Sequence, residues 1–129
     1  MSGKQTRFVV IVSAIAEWEP AKAIFPDVRT EYSPYGEYFF APVQRDEVAF
    51  VNGGWGKVAA AASTQYVIDH FEPKYLINLG TCGGIEGRVR RFDVVAPERV
   101  VIQRHAWLRQ TFAHFITAGC IRERLDAAN

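Results

Sequence analysis

The stretch Leu76-Ile77-Asn78-Leu79-Gly80-Thr81-Cys82-Gly83-Gly84-Ile85 decides the fold, because an apolar run stops there at three glycines clustered around a threonine and a cysteine. Tyr75 to Leu79 reads as a buried strand, and the glycines mark its carboxyl end. Open α/β sheets place their ligand crevices at the carboxyl ends of strands. Gly80, Gly83 and Gly84 would let a ligand approach main-chain N–H groups closely, with the Thr81 hydroxyl as a further donor or acceptor. A tight turn needing glycine for geometry alone accounts for the same residues. Composition does not choose between the two.

Upstream, Ala60, Thr64, Val67, Ile68 and Phe71 follow the spacing of one helical face, so a helix is predicted from Lys57 to Phe71, with the alanines at 59–62 letting it lie close to a sheet. It ends at Glu72-Pro73, because a residue before proline avoids the helical region. Gly53-Gly54-Trp55-Gly56-Lys57 invites comparison with a phosphate-binding loop, but Val51 stands where the first glycine is required and Val58 where the magnesium-binding hydroxyl is required. A glycine-rich turn into a helix remains, with Trp55 beside it as either a core residue or a stacking platform. Glu37–Ala41 and Glu47–Val51 are predicted as a hairpin around Pro42 to Asp46, and Pro26, Pro34 and Gly36 as connecting loop. The β-branched run at residues 7–13 predicts a central strand covered on both faces. A short helix interrupted or bent at Pro20 follows from Ala14 to Ile24. It carries Glu17 and Glu19, ordinarily solvated surface. Trp18 between them would bury part of that turn, and partial burial raises a carboxyl pKa toward the range of a general base.

Downstream, a third strand is predicted from Asp93 to Ala96 and on to Ile102, and a capping helix over Leu108, Phe112, Phe115 and Ile116, ending near Gly119. The chain has 129 residues, 49% hydrophobic and 22% charged, which is one ordinary globular domain. Its net charge of +1, with the basic excess confined to residues 88–129, argues against bulk nucleic-acid binding. No apolar run is long enough to span a bilayer and no signal-peptide pattern follows Met1, so a cytoplasmic location is expected, with no membrane partner. Cys82 and Cys120 are too few for a disulfide framework. They and the histidines at 105 and 114 match no zinc spacing, so neither metal nor cofactor is expected.

Three segments together resemble the nucleoside phosphorylase and nucleosidase superfamily, most closely its methylthioadenosine/S-adenosylhomocysteine nucleosidase type. They are Gly54-Trp55-Gly56-Lys57-Val58-Ala59-Ala60-Ala61, then Pro73-Lys74-Tyr75-Leu76-Ile77-Asn78-Leu79-Gly80-Thr81-Cys82-Gly83-Gly84, then Phe92-Asp93-Val94-Val95. The resemblance implies an α/β, phosphorylase/hydrolase-like fold with a mixed central sheet flanked by helices, truncated relative to the family and closed by the C-terminal capping helix. Residues 1–102 would be the N-terminal portion of that domain and residues 103–129 a divergent helical tail.

The same resemblance implies a purine nucleoside as the small-molecule partner and hydrolysis of its N-glycosidic bond as the reaction. Thr81, Cys82 and Gly83 fall at ribose- and base-contacting positions, and Trp55 at a pocket position beside the ribose 5′ substituent. Glu17 is the candidate for the water-activating carboxylate. Aligned without a gap, the family glutamate falls on Trp18, so Glu17 or Glu19 would serve after a local shift. Superfamily phosphorylases carry an arginine where this chain has Asn78, which favours the hydrolytic branch and leaves phosphorolysis as an alternative. The family's later Met-Glu and Ser-Asp motifs do not occur in this sequence, so weak or no activity is expected of the chain alone. A non-catalytic nucleoside-binding or oligomer-forming module is the rival reading. Unpaired strand edges in a partial sheet also predict self-association. Sedimentation velocity over a broad concentration range is expected to show a dimer or larger assembly; a monomer throughout would contradict it.

Overall fold

The computed structural model describes residues 5–84, 86–99 and a short strand at Phe115–Ile116. The first strand, β1, spans Phe8–Val12 and leads into helix α1, Ile15–Ala23. Three antiparallel strands follow, β2 (Thr30–Ser33), β3 (Gly36–Val43) and β4 (Asp46–Asn52). Helix α2, Gly56–Phe71, then crosses to β5, Tyr75–Leu79. The sheet order is β2-β3-β4-β1-β5, with β1 parallel to both neighbours. A separate two-residue strand, β6 (Cys82–Gly83), pairs antiparallel with β7 (Phe115–Ile116).

The period-2 alternation of β1 divides the core in two. Val9 and Ile11 join Tyr38, Ala49, Val51, Val67 and Phe71 under α2, while Val10 and Val12 join Trp18, Phe39, Ala41, Val48 and Phe50 under α1. The uninterrupted apolar run therefore has a helix over each face, as the sequence predicts for a central parallel strand. The chain is an α/β protein with a mixed sheet flanked by helices. No helix among the described residues is long and apolar enough to cross a membrane.

Several elements depart from the sequence reading. Helix α1 passes through Pro20 without interruption; the ring removes one hydrogen bond to the Ala16 carbonyl, and the buried Trp18 anchors the helix on the sheet. Residues 30–33 form an edge strand where loop was expected. Their polar sequence hides the strand, and Glu31 stays satisfied by accepting the Tyr38 hydroxyl of its cross-strand partner at 2.7 Å. The hairpin is tighter than expected, with only Gln44 and Arg45 between β3 and β4, and Gln44 takes a left-handed φ of 56°. Strand β5 was expected to be buried. It is the outer strand of the sheet among the described residues, and its last two residues, Asn78 and Leu79, are exposed.

No strand forms over residues 93–99. Asp93 instead closes a turn, accepting the Arg90 N–H at 3.0 Å and donating its own N–H to the Arg90 carbonyl at 3.2 Å, and Val94 stands free in solvent. The continuation to Ile102 lies outside the described residues. So does the tail from residue 103, except at Phe115–Ile116. There the chain is extended and paired with β6, so the expected capping helix does not run through those two residues.

Helix α2 ends where expected, with Glu72 in the left-handed region and its N–H on the Ile68 carbonyl. Its innermost stripe is Ser63, Val67 and Phe71 rather than one led by Ala60 and Thr64. The reason is a close crossing at Gly53, where a Cβ would lie 2.6 Å from Ile11 Cγ2 and 3.0 Å from Ser63 Oγ. Only a small side chain on the helix fits there. Gly53→Ala is expected to destabilise the fold by about 1–3 kcal/mol through overpacking, read as a lowered urea midpoint with unchanged m-value.

Candidate functional site

Because β1, β4 and β5 are parallel neighbours, their carboxyl ends lie along one edge of the sheet. Ser13, Asn52 and Gly80 leave the strands there. Open α/β sheets form ligand crevices at this edge. Glu17, in the first turn of α1, reaches across it. The Thr81 backbone N–H donates to Glu17 Oε1 at 2.6 Å, and the Thr81 hydroxyl donates to the same oxygen. Gly80 makes this possible. A Cβ there would stand 3.0 Å from Glu17 Oε2, so a side chain would push the carboxylate off the turn. The glycine at the end of β5 thus serves close approach.

Beside this pair lies a cleft of about 420 Å³ lined by Trp55, Tyr35, Trp18, Asn52, Glu19 and Glu37, among others. Trp55 sits at the N-terminal boundary of α2 and is 76% exposed. Glu37 is held by three donors from two elements: Lys22 Nζ at 2.7 Å and Trp18 Nε1 at 3.1 Å, both on Oε2, and the Tyr32 hydroxyl at 3.4 Å on Oε1. The Lys22 hydrogen bond, then that of Trp18, holds the Glu37 carboxyl below its usual range, and Glu37 in turn raises the Lys22 ammonium above its own. Asn52 is buried, and its side-chain oxygen accepts the Gly54 N–H at 3.2 Å.

The sequence-predicted residues separate into three groups. Glu17 and Thr81 are brought into direct contact, whereas Trp55 shares its cleft with Glu19. Cys82 and Gly83 are buried and paired with β7. Burial pushes the Cys82 thiol up, away from the thiolate. Trp18 is a core residue with its indole N–H on Glu37. Glu37, Tyr35 and Asn52 were not singled out from the sequence. Asn52 had a legible signal, an amide side chain at a strand end just before two glycines. Glu37 had none, since two of its three partners come from a helix 15 and 19 residues away.

A parallel-centred α/β sheet with a polar crevice at its carboxyl edge is an open α/β ligand-binding scaffold. The Phosphorylase superfamily profile matches residues 7–123, and the chain belongs to that superfamily. Among its relatives, the 5′-methylthioadenosine/S-adenosylhomocysteine nucleosidase of Marinomonas sp. is 36% identical over 80 residues, covering 62% of this chain and 35% of the relative. That of Colwellia psychrerythraea is 34% identical over 90 residues, covering 67% and 37%. The chain thus spans little more than a third of each of these two relatives. Among solved structures, the Streptococcus pneumoniae nucleosidase with a transition-state inhibitor superposes with a TM-score of 0.59 at 26% identity, over 69% of this chain and 39% of that one. The Colwellia enzyme in complex with adenine gives 0.55 at 25%, over 70% and 37%.

The Glu37 cluster makes a pH-dependent contribution to stability. Its folded-state pKa is depressed, so the contribution is present above the unfolded value of about 4.3 and is lost as pH falls through the folded one. Glu37→Gln is expected to lower the denaturation midpoint at pH 7, with the difference from the unmodified chain closing progressively below about pH 4.

Proposed function

We propose that this chain binds an adenosine-type nucleoside at the carboxyl edge of its sheet and supplies the ribose-side part of a nucleosidase site. The observation that carries this is the Glu17 carboxylate fixed on Thr81 at the strand-end turn, in a sequence 36% identical to nucleosidases over 80 residues. The Thr81 contacts leave Glu17 Oε2 to accept a proton from water. In the reaction the C1′–N9 bond breaks with its electron pair leaving on the purine, water adds to the resulting oxocarbenium carbon, and Glu17 takes the proton that water loses. Asn78, in place of the phosphorylases' arginine, supports water rather than phosphate as the nucleophile. Thr81 is the ribose-contacting residue of this reading, with Cys82 and Gly83 as its buried support and Trp55 on the 5′ side.

One observation favours a second reading, a nucleoside-binding module without turnover. Trp18, on which the resemblance puts the family's glutamate when aligned without a gap, is buried in the core.

Titration calorimetry with adenosine, paired with chromatographic detection of free adenine, tests both. The first reading expects binding, slow adenine release, and a drop in release of about 10²–10⁴-fold in Glu17→Gln, with binding held within a few-fold. Binding without adenine release from the unmodified chain would leave the second reading. No heat with any purine nucleoside would overturn both.

A further inference from the structure

Among the described residues, β5 has a hydrogen-bonded neighbour on one side only, β1. The Tyr75 N–H donates to the Arg7 carbonyl at 3.0 Å, so Tyr75, Ile77 and Leu79 turn their main-chain groups toward β1. By the alternation of a strand, the N–H and C=O groups of Leu76 and Asn78 point outward. Lys74 and Gly80 stand at the same parity just past the two ends. No side chain from Tyr75 to Leu79 carries a charge, and Leu79 is 43% exposed. An edge of this kind accepts a further strand.

The strand that fits is decided by register. Two copies related by a two-fold axis pair antiparallel, and outward groups must meet outward groups, so the axis passes through a residue. An axis at Ile77 pairs all 5 residues of β5 without overhang. Ile77 then faces its own copy, Leu76 exchanges both main-chain hydrogen bonds with Asn78, and the Tyr75 ring covers the exposed Leu79. One step further out, Lys74 faces Gly80. A Cβ on Gly80 would stand 3.0 Å from Glu17 Oε2, the oxygen left open because both Thr81 donors go to Oε1. Directly opposed residues share a face, with Cβ positions about 5 Å apart, within the span of a lysine side chain. Lys74 is exposed, its ammonium 5.8 Å from the centre of its own Tyr75 ring. The register that satisfies the backbone thus also sets a cation against a carboxylate.

From the outward main-chain groups, the self-complementary register and the Lys74–Glu17 match, we propose that β5 is an interface for a second copy of this chain. The two copies join antiparallel about Ile77 into one continuous sheet, and each lends Lys74 to the other's Glu17. The partner's Lys74 donates to Glu17 Oε2 and holds that carboxylate in its anionic form, so the Glu17–Thr81 turn is completed in trans. The pairing does not rest on the nucleoside reading, which adenine release tests separately.

Sedimentation velocity on the full chain, read as a dimer dissociation constant, compares it with Asn78→Pro and Lys74→Glu. Proline at position 78 removes an outward N–H and leaves the ladder to β1 intact, and far-UV circular dichroism checks the fold. Asn78→Pro is expected to weaken the dimer about thirtyfold, the worth of the two hydrogen bonds that symmetry removes together. Lys74→Glu is expected to weaken it about tenfold, the combined worth of two partly exposed ion pairs, with the difference shrinking at high salt. In Ile77→Cys, mild oxidation is expected to give a disulfide-linked dimer, because Cα atoms in such a non-hydrogen-bonded pair stand about 4.5 Å apart. The unmodified chain, with Cys82 and Cys120, is the control. If Asn78→Pro fails to fold, the cross-link decides. A monomer at every concentration, or a dimer that Ile77→Cys does not cross-link, would overturn the interface. A cross-linked dimer indifferent to Lys74→Glu would overturn the contact of Lys74 with Glu17.

Discussion

The pairing of β1 between two parallel neighbours is the constraint on which the molecule depends. It forces one apolar strand to bury both faces, which requires a helix on each side, and the connections supply α1 and α2. It also aligns three strand ends. Three features of the site lie along that line: the turn from β1 into Glu17, the Asn52-to-Trp55 passage out of β4, and the Gly80-Thr81 turn out of β5. Packing and site geometry are consequences of a single register.

Within that edge, glycine acts mainly by subtraction. Gly80 admits the carboxylate of Glu17 from a distant helix, Gly53 admits α2 onto Ile11, and Gly36 admits the Asn52 backbone and side chain. At each, a methyl group would stand at 3.0 Å or less from another atom. The clustering of glycines at strand ends therefore records three steric contacts, with conformational freedom secondary at these positions. Trp18 shows the opposite device. A large ring in the core sends its one polar atom to Glu37, which ties α1 to the β2–β3 hairpin through Lys22 and Tyr32 as well.

What could be read from the sequence follows the range of the interactions responsible. Strand β1 and helix α2 were legible because hydrophobic periodicity is local, and the hairpin because its turn is short. The Glu17–Thr81 contact was half-legible: both residues stand just past the ends of apolar runs, and the α/β rule puts such ends together. Strand β2 was hidden because an edge strand can be polar. The burial of Cys82 and Gly83 was hidden too, since it depends on pairing with Phe115 and Ile116, over thirty residues on, where helical spacing suggested something else. Glu37 left no trace in the sequence because its donors come from a separate helix and from the facing strand.

The two borders of the sheet are unlike each other. On one side β2 carries Glu31 and is short; on the other β5 reads Tyr-Leu-Ile-Asn-Leu, without a charge. Among the described residues, the charged, four-residue border is the poorer template for strand addition and the uncharged, five-residue one the better. The receptive border runs directly into Gly80 and Thr81. A strand added there would lie beside the turn whose Thr81 holds Glu17.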